Sequence, residues 1–410
     1  MNAQTAAAKT SNITKEEKRR LKRELKARRR TKKLITSIRH SIVRKDETYE
    51  IRAREELNEY LKVLEREGAH DIVQEAQIAI TASHQHYQLN KATVCDSHDL
   101  EAKTFIMSVR DNLMKQKHER KAERKLIENE HACNLLRHMT KGTQELNMFE
   151  DKSALWGYTK QKFLDRAMLI YSSLTKLNEY ANDGEEISGI GCGTSTRCSR
   201  RNQSVYNLFN GDVKRACSIG CGPGNDLVGL AAFLKIHFQV KLEEAYFMDW
   251  AITNWEIILD PLRVLLQKNC SVYETQTSSC DVTQTFCDSS NSAIRKYCAI
   301  SDFISISYLL TETRGRWEKF VLEMFNVASD NTIFYFAEPI PWQLFRLMSL
   351  WNKQKDSCNF VLNFIWLDSS MHHDHLQYMD GREGPAVLLA VKSRKSGPDP
   401  PGPDGISAVT

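Results

Sequence analysis

The chain has 410 residues, of which 41% are hydrophobic, and a formal net charge of +5. Its length allows two or three domains with at least one large core. No apolar run approaches the roughly 18 residues of a membrane helix, and no apolar stretch follows the N-terminal charges, which excludes a membrane partner and a secretory signal. The eleven cysteines form no C-x-x-C pair. We therefore predict reduced thiols, no metal site, and a nuclear or cytoplasmic location.

Basic residues are concentrated at the N-terminus. Residues 1–45 contain 16 Lys or Arg and three Glu, so the rest of the chain is net negative. This density predicts a basic helical arm with a salt-dependent grip on RNA phosphates and no reading of bases. It is also typical of a nuclear import signal or of a solvated helix face. The candidate contacts are Lys18, Arg19, Arg20, Lys22, Arg23, Arg28, Arg29, Arg30, Lys32 and Lys33.

Residues 46–150 contain few helix breakers. None of the nine prolines precedes Pro223, and residues 1–180 contain only three glycines. Apolar residues recur at helical spacing, as at Leu57, Leu61 and Leu64, with a break expected near Gly68. We predict a helical, coiled-coil-like N-terminal region that offers a surface to a partner protein.

A helical segment over residues 151–181 leads into the predicted catalytic domain. The glycine-rich residues that follow it, 189–194, have no strand before them and no apolar helix after them. A glycine motif without that context has no binding mechanism. We therefore predict a flexible loop over residues 182–204.

The segment 216–230, ACSIGCGPGNDLVGL, is the most informative in the chain. It predicts a buried strand, a turn with glycines at Gly220, Gly222 and Gly224, and a helix capped by Asp226 or its neighbour. Turns of this kind hold nucleotide-like cofactors in α/β sheets. The next predicted strand ends at Asp249, an acid suited to binding the hydroxyl groups of a ribose.

The glycine spacing indicates the class of cofactor. It is G-x-G-x-G, which differs from the dinucleotide fingerprint, and no Lys-Ser or Lys-Thr follows to form a P-loop. Pro223 also removes an N–H that a pyrophosphate would use. The pattern favours a ribose with a neutral or zwitterionic tail. A nicotinamide enzyme and a turn that binds nothing are the alternatives.

Strands and helices alternate after the glycine turn, with a short candidate strand at residues 272–275, which predicts a mostly parallel sheet. The last two predicted strands, 360–366 and 386–391, have no helix between them and suit an antiparallel pair. Residues 394–410 are rich in proline and are predicted to be disordered.

Together with Asp249 and Cys280-Asp281-Val282, the glycine turn resembles the motifs of class I S-adenosylmethionine-dependent methyltransferases over residues 151–393. The resemblance implies a mostly parallel, seven-stranded Rossmann-like α/β sheet and S-adenosyl-L-methionine as cofactor. It also implies that Asp249 binds the ribose, that Asp281 faces the adenine amine and that the 151–181 segment closes over the cofactor, with Tyr158 and Arg166 as candidates to touch the methionine end. Alternatively, Tyr158 only packs in the core and Arg166 is a solvated helix residue. Ser218 departs from the pattern, because many members carry an acid there. The cofactor-binding residues implied are Ser218, Gly220, Cys221, Gly222, Pro223, Gly224, Asp226, Asp249, Trp250, Asp281, Val282, Tyr158 and Arg166.

Candidate catalytic groups follow the fourth and fifth predicted strands. Glu312 and Glu338 are candidate acids or bases, and Tyr308 is a candidate stacking or hydrogen-bonding surface. Alternatively, Glu312 caps a helix and Glu338 only ends a strand. The fourth strand lacks the Asn-Pro-Pro-aromatic element of enzymes that methylate exocyclic base amines. The adjacent residues 372–375, HHDH, cannot all point into one metal site.

These observations predict an RNA methyltransferase whose basic arm tethers the substrate. The alternative is a protein or small-molecule methyltransferase whose N-terminal helices bind a partner protein. A third hypothesis is a cofactor-binding scaffold without catalysis.

Overall fold

The computed structural model of the protein describes residues 15–44, 47–89, 96–115, 124–141, 143–182, 213–270, 272–339, 341–367 and 385–395. The glycine-rich residues 189–194 and the run 372–375 lie outside this part of the chain. So do nearly all of the predicted loop 182–204 and of the predicted tail 394–410.

The chain divides into two compact units, residues 1–87 and residues 88–410. The described helices are α1 (Lys15–Arg44), α2 (Glu47–Arg66), α3 (His70–Leu89), α4 (Asp96–Lys115), α5 (Arg124–Lys141), α6 (Lys152–Asn182), α7 (Asn225–Phe233), α8 (Ile252–Cys270), α9 (Ile294–Ile300), α10 (Leu309–Glu312), α11 (Glu318–Val327) and α12 (Trp342–Gln354). The strands are β1 (Arg215–Ile219), β2 (Glu244–Asp249), β3 (Glu274–Ser279), β4 (Phe303–Ser307), β5 (Ile333–Glu338), β6 (Phe360–Leu367) and β7 (Ala386–Arg394).

The first unit is helical, as the shortage of proline and glycine predicts. α1 packs on α2, and their contact buries the side chains of Leu34 and Ile38 on α1 and of Leu57 and Leu61 on α2. The two residues on each helix are four positions apart, so they lie on one face of that helix. The predicted break is confirmed at Gly68, whose φ of 74° ends α2.

Charged side chains of α1 also hold this unit together. Arg28 forms an ion pair with Glu75 of α3, and a second one with Glu24 one turn back on α1. Arg30 lies over the ring of Tyr60, with its Cζ 4.3 Å from the ring centroid. α1 is therefore packed into the unit rather than projecting from it as a free arm.

The second unit contains a seven-stranded sheet in the part of the chain that the structure describes. Its strand order is β3-β2-β1-β4-β5-β7-β6. β1 to β5 are parallel, whereas β7 runs antiparallel to both β5 and β6. This confirms the predicted α/β sheet and its antiparallel end. The order reverses between β1 and β4, and ligands of such sheets lie at the carboxyl ends of the strands beside that point.

The core of the second unit joins the sheet to helices on both sides of the glycine turn. α4 and α5 pack on α6, and α6 packs on α7. Gly229 of α7 makes this last contact close, because a Cβ there would lie 2.3 Å from the carbonyl oxygen of Ala167. A backbone atom cannot move aside as a side chain end can, so the sequence at this position is restricted to glycine.

Two local predictions differ from the structure. The residue before α7 is Gly224, with a left-handed φ of 79°, and no side chain caps the helix. Asp226 lies in the first turn, where its carboxylate accepts hydrogen bonds from Asn225 Nδ2 and Ser307 Oγ, both at 2.7 Å. β3 begins at Glu274 rather than near residue 272, because its polar residues hide the edge strand from a hydrophobic pattern.

None of the helices in the described residues is long and apolar enough to cross a bilayer.

Candidate active site

A cavity of about 200 Å³ lies at the carboxyl ends of the central strands. Its wall combines residues that follow β1 to β4 with residues of α5, α6 and the segment between them. The lining residues are Met139, Gln144, Phe149, Tyr158, Arg166, Gly220, Gly222, Asp249, Trp250, Trp255, Cys280, Asp281, Val282, Thr283, Ser307, Leu309, Glu312, Thr313 and Arg316.

The three glycines of the turn have different roles. Gly220 and Gly222 line the cavity with φ values of 67° and 49°, which an L side chain rarely adopts. Gly224 instead allows close packing, since a Cβ there would lie 2.6 Å from Leu262 Cδ2 and 2.8 Å from Phe247 Cε1. Only the first two glycines therefore bring the backbone up to a ligand.

Asp249 joins the glycine turn to the end of β2. Its Oδ2 accepts a hydrogen bond from the N–H of Gly222 at 3.0 Å, and its Oδ1 accepts one from the N–H of Ala251 at 2.9 Å. Burial raises the pKa of Asp249 to about 6, although these two hydrogen bonds act to lower it. A carboxylate offers about four acceptor positions. The side chain is thus held in place with acceptor capacity left for a ligand in the cavity.

The wall beside Asp249 is aromatic. Trp250 and Trp255 both lie edge-on to the ring of Phe149, with ring centroids 5.6 and 6.1 Å apart. Phe149 belongs to a 3-10 turn, Leu146–Phe149, that follows α5. The N-terminal helical segment therefore supplies part of the cavity, together with an apolar surface suited to a flat ring.

A buried asparagine fixes the loop after β3, on the same side of the cavity. Asn291 Oδ1 accepts the N–H of Asp281 at 2.8 Å, and Asn291 Nδ2 donates to the carbonyl oxygens of Asp281 and Thr285. These bonds hold Asp281 and Val282 at the cavity wall. Sequence reasoning missed Asn291, because an isolated asparagine carries no signal until its loop is known.

Arg166 of α6 lies between two tyrosine rings. Its Cζ is 4.0 Å from the ring centroid of Tyr308 and 5.3 Å from that of Tyr158. Tyr158 is buried, and burial raises the pKa of its hydroxyl well above the usual value. Tyr158 and Arg166 line the cavity, whereas Tyr308 does not. Tyr308 therefore acts on the site indirectly, because the guanidinium of Arg166 packs on its ring.

Glu312 faces the cavity from α10, beyond the end of β4. No hydrogen bond or ion pair joins its carboxylate to another described residue. Burial raises its pKa to about 8, against the lowering effect of Arg166 and with further raising by Glu338 and Asp249. This half-buried group can therefore exchange a proton near neutral pH.

Glu338 lies behind this wall, at the end of β5. Its Oε1 accepts the N–H of Leu310 at 2.8 Å and its Oε2 accepts the N–H of Thr311 at 3.1 Å. The residue is fully buried and does not line the cavity. Burial raises its pKa to about 7, opposed by these hydrogen bonds. Glu338 thus stabilises the backbone of α10, the helix that carries Glu312.

Several predicted cofactor residues lie near the cavity without lining it. Ser218, on β1, is buried, and its Oγ has no hydrogen-bond partner among the described residues. Asp226 is buried, and burial raises its pKa even though Ser307 and Arg166 favour its charged form. Cys221 and Pro223 are also buried, within the glycine turn.

Several cavity residues were absent from the sequence prediction. They are Met139, Gln144, Phe149, Trp255, Thr283, Ser307 and Arg316. Only those beside a predicted strand end, such as Ser307, could have been found from the sequence. Gln144 and Phe149 precede the first strand by more than 60 residues, so no local pattern relates them to the site.

These features define the class of fold. The order β3-β2-β1-β4-β5-β7-β6 with an antiparallel β7, a glycine turn after β1 and an acid at the end of β2 form the class I methyltransferase fold that the sequence resembles.

Solved structures with a similar fold include the precorrin-6y C5,15-methyltransferase of Geobacter metallireducens, at 8% identity and a TM-score of 0.29, over 52% of this chain and 97% of that one. Another is the precorrin 8W decarboxylase of Methanobacterium thermoautotrophicum, at 15% identity and a TM-score of 0.27, over 48% of this chain and 91% of that one. A third is an S-adenosylmethionine-dependent O-methyltransferase of Thermotoga maritima, at 10% identity and a TM-score of 0.27, over 54% of this chain and 73% of that one. At these values the likeness concerns the fold, and no activity is carried over. No protein-family model and no curated protein matches the sequence.

Proposed function

We propose that the protein is an S-adenosylmethionine-dependent methyltransferase. The observation that carries the proposal is the convergence of Gly220 and Gly222 after β1, Asp249 at the end of β2 and Asp281 after β3 on one cavity. Gly222 leaves room for a ligand, since a Cβ there would still be 3.7 Å from the nearest atom, Trp255 Cζ2. When bound, S-adenosylmethionine supplies an activated methyl group.

The residues of the cavity suit each part of this cofactor. Asp249 accepts hydrogen bonds from the two ribose hydroxyl groups. Trp250 and Phe149 offer apolar rings beside the adenine, and Asp281 accepts a hydrogen bond from its amine. Tyr158 and Arg166 cover the methionine end and exclude water from it.

Glu312 provides the acid–base chemistry of the proposed reaction. An acceptor nucleophile that carries a proton must lose it during methyl transfer, and Glu312 faces the cavity without a partner among the described residues. Its raised pKa suits a general base at neutral pH. Glu338 and Tyr308 act through α10 and Arg166 rather than by touching the acceptor.

Binding of the cofactor is the most direct test. Calorimetry of the purified chain should give saturable heat with S-adenosylmethionine and with S-adenosylhomocysteine, and none with NAD, because the turn lacks a pyrophosphate site. Incubation with radiolabelled S-adenosylmethionine and total cell extract should then label one class of acceptor. A protein that binds neither methionine compound would contradict the proposal, whereas binding without a labelled product would indicate a scaffold.

For the acceptor we infer RNA, tethered by the basic helix α1. The exposed residues of this helix include Lys22, Arg23, Lys26, Arg29, Arg30, Lys32 and Lys33. They outnumber the exposed acid of the same stretch, Glu24, and the exposed face carries no aromatic ring. Such a face favours phosphates over bases.

A variant of this face tests RNA binding without removing α1, whose apolar side supports α2. Five exposed residues without ion pairs to the described residues are replaced by glutamine: Lys22, Arg23, Lys26, Arg29 and Lys33. We expect weaker binding of total RNA, with a dependence of log affinity on log salt that is less steep by up to about 3.5 for single strands. Fluorescence anisotropy at several salt concentrations measures both quantities.

The matched control replaces five exposed cations of the second unit by glutamine: Lys152, Lys160, Lys268, Arg295 and Lys319. Affinity for S-adenosylhomocysteine should be unchanged in both variants. Equal salt slopes in the two variants would refute tethering by α1.

A further inference from the structure

A turn with two arginines follows α10 and reaches the mouth of the cavity. Thr313 and Arg316 line the cavity, whereas Arg314, two residues before Arg316, does not. Arg316 is exposed, and its Nε donates to the carbonyl oxygen of Thr313 at 3.3 Å. No described residue binds its Nη1 or Nη2. A planar guanidinium with both terminal nitrogens available matches an oxyanion in a bidentate manner.

The turn is held in position from both sides. Arg314 and Gly315 have left-handed φ values of 51° and 83°, which reverse the chain tightly. The guanidinium of Arg346 lies so close to Gly315 that a Cβ there would be 2.5 Å from Arg346 Nη1. Arg346 Nε in turn donates to Glu318 Oε1 at 2.6 Å. The backbone that presents Arg316 is therefore fixed before any ligand arrives.

Buried neighbours anchor the two ends of the same turn. The hydroxyl of Thr313 donates to the carbonyl oxygen of Leu309 at 2.8 Å. Trp317, directly after Arg316, is fully buried, and its Nε1 donates to Gln343 Oε1 at 3.3 Å. Arg316 thus stands on a rigid support, which lowers the entropic cost of binding an anion with its side chain.

The charged side chains Arg166, Glu312 and Arg316 of the cavity differ in their exposure to solvent. Arg166 lies near the carboxyl groups of Asp226 and Glu312, which favour its charged form, and its Cζ is 4.0 Å from the ring centroid of Tyr308. Glu312 and Arg316 both line the cavity, but they form no ion pair with each other. The wall thus presents the carboxyl group of Glu312 inside the cavity. At the rim it presents the guanidinium of Arg316, which has no ion pair with a described residue.

We propose that Arg316 binds an oxyanion carried by the methyl acceptor, next to the nucleophile that Glu312 deprotonates. This inference rests on the proposed function and adds the chemical class of the acceptor. With RNA as acceptor, the oxyanion is the phosphate beside the methylated nucleotide. With a small molecule it would be a carboxylate or phosphate of that compound.

Arg316→Gln and Arg314→Gln form a matched pair, because both arginines are exposed and only Arg316 lines the cavity. Methyl transfer from radiolabelled S-adenosylmethionine to total RNA is measured over a range of RNA concentrations. Loss of a charge-assisted, bidentate contact should raise the KM for RNA about 10- to 100-fold in Arg316→Gln. The kcat, the affinity for S-adenosylhomocysteine and the Tm should stay near wild type, and Arg314→Gln should behave as wild type throughout.

Inorganic phosphate provides a second readout. It should compete with RNA in the wild type and in Arg314→Gln, relative to chloride at the same ionic strength, and lose this effect in Arg316→Gln. Arg316→Lys, which keeps the charge without the planar fork, should recover only part of the loss. Equal KM values and equal phosphate inhibition in the glutamine pair would overturn the inference.

The source of the oxyanion follows from the fraction that becomes labelled. If the wild type labels a small-molecule fraction and not RNA, the RNA proposal fails, and the same pair of variants measured on that fraction decides the role of Arg316. A wild type that labels no fraction overturns the proposed function and this inference together. Equal behaviour of the two variants on a labelled fraction overturns the inference alone.

Discussion

Replacement of Asp249 by alanine should lower the affinity for S-adenosylhomocysteine by at least about 100-fold, because the proposed hydrogen bonds from both ribose hydroxyls to a charged acceptor would be lost. The carboxylate also accepts the N–H of Gly222, so the glycine turn loses its tie to β2 as well. Calorimetry measures the affinity. Asp260→Ala, which removes an exposed acid of α8 outside the cavity, should leave it unchanged.

The pH dependence of this affinity gives an independent check. In the proposed complex, the Asp249 carboxylate accepts hydrogen bonds from the ribose hydroxyl groups when it is ionised. Burial raises its pKa from 3.8 to about 6, so affinity should be full above that pH and fall as the pH is lowered through about 6. An affinity that is constant between pH 5 and pH 8, about one unit below and two above, would contradict the assignment of Asp249 to the ribose.

Replacement of Glu312 by glutamine should lower kcat for methyl transfer by about 10²- to 10⁴-fold, the usual contribution of a general base. The affinity for S-adenosylhomocysteine should change little, since Asp249 and the glycine turn are untouched. In the wild type kcat should rise with pH through about 8, where Glu312 loses its proton, and then level off. The variant should lack this rise. Rapid-quench assays over a range of pH, under single-turnover conditions, measure the step directly.

Glu338→Gln provides the contrast for Glu312→Gln. Glu338 binds only the backbone N–H groups of Leu310 and Thr311 within the described residues. Its neutral amide keeps one acceptor oxygen, so we expect a lower Tm and a higher KM for the acceptor, with the rise of kcat near pH 8 retained. If Glu338→Gln abolishes that rise and Glu312→Gln does not, the two roles are exchanged.

The proposed chemistry depends on several carboxyl groups that share a poorly solvated site. Asp226, Asp249, Glu312 and Glu338 all have raised pKa values, and burial is the main cause in each case. The positive charge of Arg166 lowers the pKa values of Asp226, Glu312 and Glu338 and so offsets part of the effect of burial. Its guanidinium lies near two tyrosine rings. Perturbed groups of this kind concentrate at functional sites. Their unequal contacts separate the roles, because Glu338 is occupied by backbone N–H groups whereas Glu312 faces the cavity.

The glycine turn illustrates what local sequence can indicate. The strand, the turn and the helix are encoded within 15 residues, 216–230, by an apolar run, three glycines and a second apolar run. Such short-range patterns fix backbone conformation and burial directly. Even here the predicted cap of α7 was wrong, because the carboxylate of Asp226 accepts a hydrogen bond from the hydroxyl of Ser307, 81 residues away.

The sequence by itself determined the order of strands and helices, the helical N-terminal region, the glycine turn and the acid that ends β2, because each depends on neighbours in the chain. Only the tertiary structure decided that Phe149 shares a cavity with Trp250, that Glu338 supports α10 and that Arg316 reaches the rim. These relations depend on which strands pair and where distant segments return. Long-range packing sets that geometry, and it leaves no periodic mark in the residues concerned.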